Sequence, residues 1–127
     1  MRLLTLLLYA ATAVMALHDP AAAQNAESGK RLFEKCLACH AVGPGAQSKN
    51  GPVLNGIVGR AMGSAPGFEY SQAFQAAKAK GLVWTEDALA RFLESPLAFL
   101  PKNKMAYGAV KTAGERADII AYLKTLQ

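Results

Sequence analysis

Two cysteines and a histidine stand together in the stretch Cys36-Leu37-Ala38-Cys39-His40. Residues three apart in a helix lie on the same face, so both sulfurs can reach the two vinyl groups on one edge of a porphyrin and bind them as thioethers. His40 is then held under the iron, where a ring nitrogen can serve as an axial ligand. The spacing predicts the attachment of one c-type haem.

Two other chemistries use closely spaced cysteines. A redox-active Cys-X-X-Cys pair is typical of a βαβ unit with a strand before the motif, and no stretch of this sequence alternates like a strand. A closed zinc site needs four ligands, and the sequence has no second cluster of cysteine and histidine. Haem attachment is therefore the interpretation that these residues favour.

The first 23 residues have the features of a secretory signal peptide. Arg2 precedes an uncharged apolar run of 15 residues, which is shorter than the roughly 20 that span a bilayer. Ala21-Ala22-Ala23 supplies small residues where a signal peptidase cuts. We therefore expect residues 1–23 to be removed after Ala23 and residues 24–127 to form one domain in the periplasm. Retention of residues 1–23 as a membrane anchor is the alternative.

The chain that remains after cleavage has few candidate iron ligands. It contains one histidine, His40, and two methionines, Met62 and Met105, and its net charge stays at +5 because the cut removes one arginine and one aspartate. A domain this small buries only a modest core, to which a haem would add apolar mass. Export and the absence of a basic–aromatic array argue against a nucleic-acid-binding protein.

Capping residues and apolar periodicity predict an all-α fold with helices near both ends and loops in the middle. Gly29 lies inside the first predicted helix, where it costs stability unless another backbone approaches it closely. Ser95-Pro96 should end the third helix. The predicted helix starts are Asn25, Ser71, Thr85 and the capping box Thr112-Ala113-Gly114-Glu115.

The sixth iron ligand is not fixed by the motif, and Met62, Met105, a lysine, water or an open site are all candidates. We favour Met105 because it follows Pro101 in an irregular segment between helices, which can project one side chain into a pocket. Met62 lies in a Gly-rich loop and is expected at the surface. Ligation by histidine and methionine fills both axial positions, which favours electron transfer over substrate activation. The Pro52 carbonyl is a candidate acceptor for the second ring N–H of His40.

These motifs together resemble the class I cytochrome c family, in its mitochondrial-like bacterial branch. The resemblance covers essentially the whole of residues 24–127 in order and spacing. It rests on Gly29-Lys30-Arg31-Leu32-Phe33, the Cys36–His40 motif, Gly51–Leu54 through Gly59-Arg60, Ala65-Pro66-Gly67-Phe68, Gly81-Leu82-Val83-Trp84 and Pro101-Lys102-Asn103-Lys104-Met105.

The resemblance implies the small cytochrome c fold, in which the N- and C-terminal helices pack across each other and loops and short helices wrap a covalent haem. It implies thioether attachment at Cys36 and Cys39 and axial ligation by His40 and Met105. It also implies that Gly29 lies where the terminal helices cross near Tyr122. The remaining implied haem contacts are the Pro52 carbonyl, which accepts from His40, and Arg60, Tyr70 and Trp84 around the propionates.

The function implied by the resemblance is that of a soluble, monomeric periplasmic electron carrier and not of an enzyme. Its implied partners are membrane redox complexes, namely a quinol–cytochrome c reductase and a terminal oxidase or photosynthetic reaction centre. Basic residues around the exposed haem edge would steer the protein to acidic docking sites on these complexes. The lysines that match such family positions are Lys35, Lys49, Lys104 and Lys111.

Several residues depart from the family pattern near the haem. Phe92 stands where many relatives have a tyrosine near the methionine sulfur, and Asn103 replaces a usual threonine two residues before Met105. A second hypothesis therefore stays open, in which the sixth ligand is labile and the protein is a peroxidase-like enzyme or a small-ligand sensor. The other departures are Phe74 for an asparagine, Leu97 for a lysine and Tyr107 for a phenylalanine.

Overall fold

The helices of the chain lie near its two ends and in its second half. The computed structural model describes residues 24–127, so the predicted signal peptide and the cut after Ala23 lie outside the described residues. Within this range there are α-helices and a short 3-10 helix, and the only β-pairing is one antiparallel bridge between Ala61 and Val83. The helices are α1 (Ala26–Phe33), the 3-10 helix (Glu34–Ala38), α2 (Gln72–Ala79), α3 (Glu86–Glu94), α4 (Pro96–Phe99) and α5 (Ala113–Lys124).

Three of the predicted helix starts are held by side-chain caps. The side chains of Asn25, Ser71 and Thr85 accept hydrogen bonds from the backbone N–H groups of Ser28, Phe74 and Ala88, respectively. Each cap satisfies one of the N–H groups that the first turn of a helix leaves without an intrahelical partner. The predicted all-α fold and these starts are confirmed.

The predicted capping box at Thr112 is wrong. Helix α5 does begin after Thr112, but the Thr112 side chain makes no capping hydrogen bond. The turn before the helix is held instead by Arg116, whose Nη1 donates to the carbonyls of Val110 and Lys111 at 2.8 Å each. Helix α3 ends at Glu94 as predicted, and Pro96 then occupies the first turn of α4, where its missing N–H costs nothing.

The prediction that Met62 is a surface residue is also wrong, since it is only 2% exposed. The chain around the bridge pairs with residues 82–84, and the Met62 N–H donates to the Leu82 carbonyl at 2.8 Å. Side chains alternate in such an extended segment, so Ala61 faces solvent while Met62 turns into the core. The Gly-rich composition of the loop gave no sign of this pairing.

Helices α1 and α5 pack across each other with almost no space between their backbones. A Cβ on Gly29 would lie 1.9 Å from the carbonyl oxygen of Asp118, so only glycine permits the approach. The rings of Phe33 and Tyr122 pack beside the crossing, with centroids 5.4 Å apart. The crossing predicted at Gly29 is therefore present, and it accounts for a glycine inside a helix.

The buried core continues from this crossing to α2 and α3. Its members share apolar side chains and lie on the inner faces of the helices and of the loops before and after α2; they include Ile57, Met62, Phe74, Trp84, Leu89, Phe92, Leu93, Ile119, Ile120 and Leu123. In the part of the chain that the structure describes, no helix is both long and apolar enough to cross a membrane.

Candidate haem site

Both cysteines of the motif belong to one turn of 3-10 helix that continues α1. Cys36 lies within Glu34–Ala38, and Cys39 is its C-terminal cap, with its N–H donating to the Cys36 carbonyl at 3.1 Å. A 3-10 helix has three residues per turn, so side chains three apart eclipse each other more closely than in an α-helix. The two sulfurs are not joined in a disulfide. Both cysteines line one cavity, as two attachments to one porphyrin edge require.

His40 has one fixed orientation. Its Nδ1 lies 2.8 Å from the Pro52 carbonyl oxygen, which can only accept, so Nδ1 carries the proton and the lone pair is on Nε2. This is the contact that the sequence predicted for Pro52. Burial lowers the pKa of His40. The hydrogen bond to Pro52 raises this pKa, and the positive charge of Lys49 lowers it further. The imidazole is thus held neutral with Nε2 available to a metal.

Gly51 brings the backbone directly against the His40 ring. A Cβ at this position would lie 2.5 Å from His40 Cε1 and 2.8 Å from Nδ1. The Gly51 N–H also donates to the Cys39 carbonyl at 2.8 Å. This role was not predicted from the sequence, although the signal was a glycine directly before Pro52, whose carbonyl was predicted to accept a hydrogen bond from His40.

One apolar cavity of about 440 Å³ joins the residues predicted for haem binding. This volume lies within the range of about 300–1,000 Å³ that is usual for ligand and cofactor sites. Of the predicted site residues, the cavity is lined by Cys36, Cys39, His40, Pro52, Tyr70, Trp84 and Met105. Two thiols and a neutral imidazole in an apolar cavity form the donor set that a thioether-bound haem requires, so the residues fit this group.

Arg60 is the predicted site residue that does not line the cavity. Its guanidinium donates to the carbonyls of Asn55 at 2.9 Å and Val53 at 3.0 Å. Its Nε is buried without a hydrogen-bond partner. Burial lowers the pKa of Arg60, and nearby Tyr70 acts in the opposite direction. The Tyr70 hydroxyl itself accepts from the Ala65 N–H at 3.1 Å.

Aromatic rings form a large part of the cavity wall. Phe74 and Phe92 are 6.0 Å apart between centroids, and Trp84 is 5.0 Å from Phe92 in an edge-on arrangement. Both phenylalanines are buried and offer no hydrogen-bonding group. A haem within this wall would be surrounded by low-polarity groups that exclude water.

Met105 enters the cavity from the loop after α4, next to Asn103 and Gly108. A Cβ on Gly108, whose φ is 93°, would lie 3.2 Å from Met105 Cε. The Met105 N–H donates to Asn103 Oδ1 at 2.7 Å. Asn103 was noted in the sequence only as a departure from the family pattern. An asparagine two residues before the residue it holds is the pattern of an Asx-turn, which could have indicated this contact.

The four lysines predicted for docking are all exposed, and three of them are held by backbone carbonyls. Lys35 and Lys104 line the rim of the cavity. Tyr107, at 89% exposure, is on the same rim. The three held ammonium groups donate to Leu37 (Lys49), Glu69 (Lys104) and Glu94 (Lys111) at 2.7–2.8 Å. Lys104 is therefore the rim lysine whose positive charge is held in place.

Residues 26–127 match the family model described as cytochrome c, which is most of the chain. The chain belongs to the cytochrome c family. A cytochrome c2 from Blastochloris viridis is 47% identical over 105 residues, which cover 83% of this chain and 80% of the relative. A cytochrome c-550 from Ancylobacter novellus is 47% identical over 97 residues, which cover 76% of this chain and 91% of the relative.

A solved structure shows the same fold. The cytochrome c2 from Rhodospirillum centenum superposes with a TM-score of 0.76 at 38% identity, over 80% of this chain and 98% of that chain. The resemblance seen in the sequence and the predicted cytochrome c fold are thereby confirmed. Proteins of the cytochrome c family carry covalently attached haem c and are electron carriers, not enzymes, and this chain is therefore an electron carrier with haem c.

In a cytochrome c the haem iron supplies reversible one-electron chemistry, and the protein sets where and how easily it occurs. Here the Pro52 carbonyl holds the tautomer of His40, and Gly51, which has no Cβ, lets the backbone lie directly beside the ring. The aromatic wall of Phe74, Trp84 and Phe92 keeps water from the interior of the cavity.

Proposed function

We propose that this cytochrome c transfers single electrons through a haem whose iron is held by His40 and Met105. The observation that carries the proposal is that Cys36, Cys39, His40 and Met105 line one apolar cavity. An iron with both axial positions filled changes its geometry little between the ferrous and ferric states and leaves no position for a substrate. A methionine ligand also raises the reduction potential relative to a stronger donor.

The polar contacts of this haem are proposed to come from Arg60, Tyr70 and Trp84, with Pro52 supporting His40. The partnerless Nε of Arg60 supports this role, because a buried N–H without an acceptor costs free energy that a propionate could recover. Trp84 and Tyr70 line the cavity and bring an indole N–H and a phenol to its wall.

We propose that residues 1–23 form a signal peptide that is removed after Ala23, and that residues 24–127 are the mature domain in the periplasm. The short apolar run with small residues after it supports export, as does similarity to bacterial cytochromes c2 and c-550. Amino-terminal sequencing of the protein purified from periplasmic extract should begin at Gln24. A protein that stays in the membrane fraction and retains residue 1 would contradict this processing.

The partners are proposed to be membrane redox complexes, a quinol–cytochrome c reductase on one side and a terminal oxidase or photosynthetic reaction centre on the other. The carrier would act as a monomer and dock through Lys35, Lys49, Lys104 and Lys111. Two of these lysines lie at the cavity rim, where charge attraction speeds encounter and a small interface allows rapid release. Nucleic acid is not a proposed partner.

The test is an optical spectrum of the oxidised and reduced holoprotein, including the weak near-infrared band that reports methionine sulfur on ferric iron. We expect a low-spin haem c with this band, its loss in Met105→Ala and its retention in the matched variant Met62→Leu. Loss of the band in Met62→Leu alone would contradict ligation by Met105.

A high-spin ferric spectrum of the unmodified protein, with rapid and complete azide binding at neutral pH, would instead favour the labile-ligand alternative, a peroxidase-like enzyme or a sensor. The same fold and the same covalent haem would remain. The spectrum therefore separates the two functions without any partner protein.

A further inference from the structure

Asn103 is the one polar residue among residues 24–127 that is buried, with 7% of its surface exposed. An amide in an apolar setting costs free energy unless its donors and acceptor are paired. Asn103 lies two residues before Met105. A hydrogen bond that holds Asn103 in place therefore also restricts the movement of Met105.

The Asn103 amide is fully engaged on both sides. Its Nδ2 donates to the carbonyls of Pro96 at 2.8 Å and Leu100 at 2.7 Å, and its Oδ1 accepts from the Met105 N–H at 2.7 Å. Two carbonyls can only accept and an N–H can only donate, so the orientation of the amide is fixed by its partners.

These contacts connect the turn that ends α4 to the backbone of Met105. The Leu100 N–H donates to the Pro96 carbonyl, and the chain then reverses at Lys102, whose φ of 63° is in the left-handed region. Asn103 bridges this reversal. The backbone nitrogen of Met105 is thereby held against a helix, while the Met105 side chain lines the cavity.

We propose that Asn103 is a positioning residue that holds Met105 on the haem iron and so keeps the sixth coordination position closed to external ligands. The inference rests on the proposed ligation by Met105. As a departure from the family pattern, Asn103 was a reason to consider a labile sixth ligand. Its contacts indicate the opposite effect, because three hydrogen bonds oppose the loop movement that would withdraw the Met105 sulfur.

Loss of a buried amide can also lower the stability of the fold, so the test needs a control that removes a similar amide from another loop. Asn55 provides one: its amide is also partly buried and makes two hydrogen bonds of 2.8 Å, both to the backbone of Gly43, in a loop that does not contain Met105. Asn103→Leu and Asn55→Leu therefore remove the same chemical group from two different loops.

The experiment measures imidazole binding to the ferric holoprotein, the near-infrared band and hydrogen exchange at the Met105 amide. Asn103→Leu leaves three buried or partly buried backbone groups without hydrogen-bond partners, which should favour the state in which the Met105 sulfur has left the iron. Because imidazole binds in place of this sulfur, we expect Asn103→Leu to bind imidazole at least about 10-fold more tightly. Its near-infrared band should weaken and its Met105 amide should exchange faster. Asn55→Leu should change these three quantities little, even where its midpoint of urea unfolding falls similarly.

The proposal is overturned if Asn103→Leu keeps the imidazole affinity and the band of the unmodified protein, or if Asn55→Leu shifts the affinity as far. Should Asn103→Leu fail to assemble with haem, Asn103→Ala is measured in the same way. An unmodified protein without the near-infrared band would overturn ligation by Met105 itself, whereas a normal band that Asn103→Leu leaves unchanged would overturn the role of Asn103 alone.

Discussion

The Cα of Gly29 lies so close to the carbonyl oxygen of Asp118 that a Cβ at position 29 would be 1.9 Å from that oxygen. The obstacle is backbone and not the end of a flexible side chain, so α1 and α5 would have to separate to accept any larger residue. This crossing fixes the position of the 3-10 helix that follows α1 and therefore the position of both cysteines.

Gly29→Ala should destabilise the holoprotein by about 3 kcal/mol, because forced overpacking typically costs about 1–3 kcal/mol and this contact cannot relax by a rotamer change. Urea unfolding followed by circular dichroism would measure the change. Gly114→Ala is the matched control: a Cβ there meets nothing within 4 Å, and alanine in a helix should stabilise by about 0.5 kcal/mol. Equal effects of the two substitutions would contradict a close crossing.

Gly51→Ala should disturb His40 rather than the fold as a whole. The new Cβ would press on Cε1 and Nδ1 of the ring and lengthen the hydrogen bond to the Pro52 carbonyl. A weaker hydrogen bond makes the imidazole a poorer donor, so the reduction potential should rise, by on the order of 30–60 mV. Redox titration would measure this, and Gly114→Ala should leave the potential unchanged. A potential that falls would contradict the predicted direction.

Lys102→Gly should be more stable than Lys102→Ala by about 1 kcal/mol. Lys102 is the non-glycine residue with positive φ among residues 24–127, at 63°, and a left-handed conformation costs an L-residue about 1–2 kcal/mol. Both variants remove the same charge, so the difference between their free energies of unfolding reports the backbone conformation at position 102. The greater entropy of glycine in the unfolded state offsets part of this difference. Thermal unfolding of the two holoproteins would measure it. An alanine variant as stable as the glycine variant would show that position 102 is unstrained.

Lys35→Glu should slow association with an acidic redox partner by about tenfold at low ionic strength, and the effect should shrink as salt is added. Lys35 is the better choice over Lys104, because Lys104 also donates to the Glu69 carbonyl and lies over the Phe68 ring. Stopped-flow oxidation by a solubilised cytochrome c oxidase would measure the rate.

Lys80→Glu is the charge control for this measurement, since Lys80 is exposed at the end of α2 and does not line the cavity. It makes the same change in net charge away from the cavity rim. A rate loss equal to that of Lys35→Glu would mean that net charge, and not the position of Lys35, governs the encounter.

Much of the chemistry could be predicted from residues close together in the sequence. The haem attachment motif lies entirely within residues 36–40. The side chains of Asn25, Ser71 and Thr85 accept from backbone N–H groups three residues ahead. The His40 hydrogen bond to Pro52 spans only 12 residues, and proline has no N–H to donate but keeps a carbonyl that can accept.

Of the residues that were misjudged or missed, Met62 depends on a distant part of the chain, whereas Thr112, Gly51 and Asn103 depend on contacts that are closer in sequence. Met62 is buried because residues 59–62 pair with residues 82–84, and the predicted capping role of Thr112 is replaced by Arg116. Signals for Gly51 and Asn103 were present in the sequence, but the contacts themselves were seen only once His40 and the turn ending α4 were placed against these residues.

The haem attachment and the starts of three helices could be predicted from near neighbours in the sequence, and the family from motifs that recur in order along residues 24–127. Only the folded structure showed that Met62 is buried and how closely α1 and α5 approach. These properties depend on the space between segments that are far apart in the chain, and that space is fixed only when the whole core packs.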